Sequence, residues 1–211
     1  RKKVWLFAGP EEGQAKTYEL DRATGKCQEI IFKGIAGNIV AKSFAKFFIP
    51  YRDGCLVTLS SSDRQTLLYQ LTPGSAEAKL LLNLPYGKFY LFPTLADNDR
   101  RLYLKAIDEK ENLSFEFINN QWTRKHTVLD SINWNRIFYN KKDESYWVAV
   151  NNHFLHYDKK LNLLKDYTKA DGIPVFDIQN IICDNNNNPW FNTDRSIHQL
   201  NLKTGIAIQL T

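Results

Sequence analysis

No apolar run in these 211 residues approaches the ~18–20 that a membrane helix needs, so this segment is expected to make no membrane contact. Cysteine is scarce. Cys27, Cys55 and Cys183 are an odd number at spacings that exclude any CxxC zinc pattern, and no disulfide framework is expected. In an apolar run such as "NIICD" a lone cysteine reads as a small core residue. There is no low-complexity tail. No initiator methionine or signal peptide precedes "RKKVWLF", so the chain is expected to be a piece of a longer protein, although a mature secreted chain would begin the same way. Charge of one sign is nowhere concentrated. Lys and Arg number 28 against 23 Asp and Glu, a net +5, but the longest basic cluster is the opening "RKK". The other basic residues are interleaved with acids, as in "KAIDEKEN" and "YNKKDES". Nucleic acid would want a concentrated basic face with stacking aromatics, so no nucleic-acid partner is expected. GxSxG, phosphate-loop and HExxH signatures are all missing. His153 and His156 stand three apart, which on a strand points them to opposite faces and makes them poor joint metal ligands. No cofactor or metal is expected.

What is present is a repeat. Trp190 in "PWFNT" has counterparts in Trp147, Tyr103, Val57 and Trp5, at intervals of 43 to 52 residues. A second landmark keeps step with it: Leu200, Tyr157, Phe117, Leu71 and Leu20. The first and last copies share a tail, "LDRATG" against "LNLKTG". Within a copy the pattern is β: "YWVAV", "LSFEF" and "SIHQLNL" alternate or cluster β-branched and aromatic residues and are broken by Asp, Asn, Gly and Pro. No stretch of twelve residues has a helical period. Four strands per ~43 residues predict an all-β chain of β-propeller blades. The expected boundaries are about 1–33, 45–83, 88–129, 134–168 and 174–211, a single segment over 1–211. The first blade starts at its anchor strand and lacks the strand before it, so the five blades are expected to form an open arc of a larger ring. "DNNNNP" is then the hairpin between two strands of a blade. Asp184, Asn186 and Asn188 do alternate as in a calcium loop, but Arg195 stands where the twelfth position would want Glu. Trp147 and Trp190 are expected to pack blade on blade, and an exposed terminal blade to favour self-association, as a dimer.

The last copy resembles the two-component regulator propeller repeat. Gly172, Ile173 and Pro174 match its opening, and Ile178, Ile181 and Asp184 its first strand. Trp190 and Thr193 match its tryptophan strand, and Leu200, Thr204 and Gly205 its tail. Copy four matches through Trp147, Tyr157 and Asp158; copies two and three keep only the hydrophobic framework. Asn192 and Pro189 depart from the family's Gly and Leu. The resemblance implies the periplasmic sensor of a hybrid two-component histidine kinase, anchored in the inner membrane by parts outside this segment, detecting carbohydrate breakdown products and working as a dimer.

Ligand contacts are expected from loops between blades: "LPYG", "DSINWN" and "DGIPVFD". Tyr86, Trp134 and Phe176 could stack on sugar rings, and Asn133, Asn135 and Asp177 could bond hydroxyls. Each aromatic could equally anchor its loop to the core. No catalytic residue is assigned. A propeller glycosidase or lyase, whose site would assemble from several blades, and a protein-binding propeller remain as alternatives, since fold alone does not decide among them.

Overall fold

The computed structural model describes residues 3–11, 14–33, 44–60, 66–84, 90–96, 99–106, 112–119, 121–174 and 178–210, with only the backbone described at 7–11, 14–15, 44–47, 60, 90–93 and 106. Strands account for nearly all regular structure. The chain divides into two compact units, one of residues 1–93, 106–108 and 119–122 and the other of residues 94–105, 109–118 and 123–211.

The first unit holds three strands, β1 (Lys3–Glu11), β2 (Gln14–Asp21) and β3 (Cys27–Phe32), then four, β4 (Phe44–Tyr51), β5 (Gly54–Ser60), β6 (Thr66–Leu71) and β7 (Glu77–Leu84). Each group is an antiparallel meander, as expected. They are not separate sheets, however. β3 runs parallel to β7, pairing Ile31 with Glu77 and Phe32 with Ala78, and the result is one seven-stranded sheet in the order β1-β2-β3-β7-β6-β5-β4. Ile30, Phe32, Val57, Leu67, Tyr69 and Leu71 are buried together there. Glu19, 3% exposed, is compensated by Lys3 at 3.0 Å and by the backbone N–H of Gly74 at 2.8 Å.

Three four-stranded antiparallel sheets follow. They are β8 (Tyr90–Ala96) to β11 (Gln121–Arg124) through β9 (Arg101–Ala106) and β10 (Leu113–Ile118); β12 (Arg136–Asn140), β13 (Ser145–Val150), β14 (His153–Tyr157) and β15 (Leu163–Tyr167); and β16 (Asn180–Cys183), β17 (Pro189–Asn192), β18 (Ile197–Asn201) and β19 (Ile206–Leu210). The unit boundary passes through β8 and β11. The β12–β15 sheet is covered on both faces, which is why "YWVAV" is apolar throughout rather than alternating. Tyr146 and Val148 point to a cluster with Tyr103, Leu129 and Trp134. Trp147 and Ala149 point the other way, onto Ile181, Phe191, Leu200 and Ala207 of the last sheet.

Register tests the repeat residue by residue. Leu20 pairs with Val4, one before Trp5, and Tyr157 with Tyr146, one before Trp147. Leu200 lies one beyond the Trp190–Gln199 pair. These three copies agree. Leu71 instead pairs with Cys55, two before Val57, so Leu56 holds the anchor position in copy two. Phe117 bonds Arg100, three before Tyr103. The shared tails fold alike: Asp21 Oδ1 accepts from Ala23 N at 2.9 Å and Asn201 Oδ1 from Lys203 N at 2.9 Å, and Gly25 and Gly205 take the left-handed φ of 70° and 73° that closes both turns.

The "DNNNNP" hairpin is an Asx turn. Asp184 Oδ1 accepts from the backbone of Asn186 at 2.8 Å and Asn188 at 3.0 Å, and Oδ2 from Trp190 Nε1 at 3.2 Å and Gln199 Nε2 at 3.3 Å. Burial pushes this carboxyl upward, but the donors outweigh it and hold it below the ordinary carboxylate range. Its oxygens are occupied by the turn itself. Cys55 is buried, Cys183 half-buried and Cys27 exposed, all free thiols, so only two of the three behave as core residues.

Gly172 ends a short 3-10 turn at φ 84°, and a Cβ placed on it would lie 2.3 Å from the carbonyl oxygen of Ala207. Gly172→Ala is expected to combine left-handed strain of ~1–2 kcal/mol with overpacking of ~1–3 kcal/mol. Chemical denaturation should register a loss of at least ~2 kcal/mol.

Candidate ligand cleft

In the second unit, β9, β10, residues 125–128 and the turn at 160–161 enclose a cleft of about 300 Å³. Its floor is Tyr103, Ser114 and Phe115, all buried. Val128 and Leu161 form apolar walls, and Arg101, Lys125, His126 and Lys160 supply the basic groups, with Glu116 the carboxylate among the lining residues. Arg101 is held in place: its guanidinium donates to Tyr146 Oη and to the carbonyl of Lys159, each at 3.4 Å. The Tyr103 hydroxyl meets that of Tyr146 at 3.5 Å, and burial pushes its ionisation well above the usual range.

One wall is fastened by Asp130, 5% exposed. Its carboxylate accepts from the Ser114 hydroxyl, from Arg124 Nη1 at 2.9 Å and from the backbone of Thr127 at 3.3 Å, and faces His126 Nδ1 at 3.5 Å. Ser114 donates its proton to the carboxylate itself, so the group is a clamp on the 127–130 turn and not a serine nucleophile activated by histidine. Among the described residues, no cluster of three His, Cys, Asp or Glu side chains converges to hold a metal.

The residues expected from the loops fare differently. Tyr86, Phe176 and Asp177 lie outside the described residues. Trp134 is corrected: it is 0% exposed, and its Nε1 donates to Leu129 O at 3.1 Å. The ring is enclosed, with Lys105 Nζ 6.0 Å from its centroid, so it anchors the loop and offers no stacking surface. Asn135 is half-buried and its Oδ1 accepts from Lys105 Nζ at 3.3 Å, while Asn133 is exposed. The structure brings Trp134 and Asn135 together on Lys105, whose Nζ also reaches Trp134 O at 2.6 Å. It places neither in the cleft. The cleft residues left a faint trace in the sequence, as three basic clusters: "RR" at 100–101, "RKH" at 124–126 and "KK" at 159–160.

His153 is exposed and pairs with Asp166 at 2.9 Å. His156 lies on the opposite face, stacked 4.0 Å from Trp147, and His198 stacks 5.3 Å from Phe191. Burial lowers the pKa of both from the ordinary 6.5, with Asp143 partly opposing it at His156. A depressed histidine stays neutral in the fold while the unfolded chain takes up its proton. Stability is therefore complete above pH 6.5 and declines as pH falls from there toward the lowered values. Urea midpoints at pH 7.5 and 5.0 should differ in that sense, and His156→Gln/His198→Gln should flatten this part of the slope.

No protein-family model matches the chain, and no curated protein matches it. Solved structures do. Sqt1 of Saccharomyces cerevisiae is 12% identical with a TM-score of 0.63, over 98% of this chain and 57% of that one. A B. thetaiotaomicron extracellular domain assigned to a hybrid two-component system is 14% identical with a TM-score of 0.62, over 97% and 28%. A gluconolactonase of Xanthomonas campestris is 13% identical with a TM-score of 0.57, over 89% and 68%. This chain thus spans little more than half the length of the first and under a third of the second. At these identities the likeness establishes an all-β, propeller-like fold.

Proposed function

We propose that this chain is a ligand-sensing segment of the periplasmic part of a hybrid two-component sensor, an arc of about five blades that detects a carbohydrate or oligosaccharide without altering it. The observation that carries the reading is the last repeat. Its described motif residues between Gly172 and Gly205 supply β16, β17 and β18, which β19 completes to a four-stranded sheet, with both motif turns formed, in a chain whose fold is shared with an extracellular domain of a two-component system. Sensing asks only that ligand bind one state of the parent better than another. A cleft built on rigid sheets and closed by the clamped 127–130 turn suits that task. The parent is anchored in the inner membrane by parts outside this segment, and the segment self-associates.

A second reading, a propeller enzyme, draws on the likeness to the gluconolactonase. The two divide on turnover. A calorimetric screen against an oligosaccharide panel, with product analysis alongside, is expected to find a ligand bound at micromolar affinity, about −8 kcal/mol, and recovered intact. Sustained cleavage or ring-opening of a bound sugar would move the assignment to the enzyme.

A further inference from the structure

We infer that the cleft beside the Asp130 clamp takes an anionic saccharide, a sugar unit carrying a carboxylate or sulfate; the sugar half of this inference rests on the sensor reading above. Its charge is the first ground. Arg101, Lys125 and Lys160 face one carboxylate, Glu116, across the cleft, an excess of two positive charges in a chain whose whole net charge is +5. Glu116 stands opposite Arg101 in the β9–β10 register, and the two lysines come from other segments. Several other surface lysines hold a carboxylate within 4 Å: Lys16 with Glu29, Lys33 with Glu77, Lys141 with Asp99 and Lys159 with Glu144. Among the described residues neither Lys125 nor Lys160 forms a salt bridge, although the charge of Lys160 acts on the nearby Asp158 carboxylate, and both lysines line this cavity. Asp130 cannot supply one, because its oxygens already serve Ser114, Thr127 and Arg124.

Shape is the second ground. At about 300 Å³ the cleft sits at the lower end of the ~300–1,000 Å³ of small-molecule sites. A bare inorganic anion would leave most of it empty. The floor and walls are apolar where Phe115, Val128 and Leu161 stand, which suits the C–H face of a sugar ring, and the lysines lie at the rim. Nucleic acid is a poor fit, since a strand needs a basic groove that tracks its backbone with aromatic platforms along it. Here the basic groups are gathered around a single cleft.

Calorimetry on the 211-residue chain at low salt, with a glucuronate-containing disaccharide, its neutral glucose counterpart and sodium sulfate, tests this. The acidic disaccharide is expected to bind at least tenfold tighter than the neutral one. Its affinity should fall several-fold in 0.3 M NaCl, because the lysines sit at a solvated rim and are screened. Lys125→Gln/Lys160→Gln should abolish the preference while leaving the unfolding midpoint unchanged. Equal affinity for the two disaccharides, or a preference that survives the double substitution, would overturn the anionic assignment and leave the sensor reading standing. Sulfate binding as tightly as the acidic disaccharide would overturn the saccharide assignment, and the sensor reading with it. Absence of binding by all three would sink both.

Discussion

Replacing Trp147 with alanine is expected to cost about 3–5 kcal/mol in denaturant unfolding. The indole is 0% exposed. It stacks on His156 at 4.0 Å and on Phe154 at 5.0 Å, tilts against Tyr167 at 6.0 Å, and faces the last sheet in the cluster holding Phe191, Leu200 and Ala207. Truncation to Ala would open a cavity between two sheets that are both fixed by their own ladders, so little collapse is available to refill it. The indole Nε1 has no hydrogen-bond partner among the described residues, so Trp147→Phe forfeits packing alone and should cost clearly less than Trp147→Ala. A loss below about 1 kcal/mol for the alanine variant would mean that the repeated aromatic position is not a core position.

The second large effect concerns the outer face of the last sheet. By register Trp190 is the counterpart of Trp147, pairing with Ile182 as Trp147 pairs with Phe138. The Trp147 face is covered by the next sheet. The Trp190 face is open: Ile182 is 62% exposed, Ile197 53% and Ile208 49%. Asn180 and Asn192 are its polar neighbours, and among the described residues no charged one lines it. An apolar face of this kind on a surface is an association site, and an uncharged one can meet its own copy without like-charge repulsion. The chain is expected to sediment as a dimer or larger at tens of micromolar. Ile182→Lys/Ile208→Lys should weaken association at least tenfold without moving the unfolding midpoint by more than ~0.5 kcal/mol, since exposed positions contribute little to the fold. A monomer at all concentrations, before substitution, would contradict this.

How far the sequence was legible depended on whether a strand has one covered face or two. Trp5, Trp147 and Trp190 are large enough to mark their register, and the structure holds all three in step. "LVTL" at 56–59 marks nothing, because Leu56, Val57, Thr58 and Leu59 are all buried. A one-residue slip there exchanges two faces that look alike, and Val57 was misplaced for that reason. The merging of the first seven strands depends on the parallel pair β3–β7, a contact between chain segments more than 40 residues apart with no local signature. Trp134 reads the same in "DSINWN" whether its ring points outward or inward; burial and the bond to Leu129 decide it. The cleft was hidden because Arg101, Lys125 and Lys160 are brought together only by sheet packing. Asp184, by contrast, was read correctly as a turn residue, since Asx chemistry is local.

The most direct test of the central claim is the fate of a bound sugar. The 211-residue chain would be saturated with the tightest-binding oligosaccharide from the screen, held for a day at pH 7.5, and the sugar recovered and analysed by mass spectrometry and NMR. Ligand sensing predicts stoichiometric binding with the sugar recovered unchanged. Catalytic release of a cleaved or ring-opened product, in excess of the protein present, would contradict it.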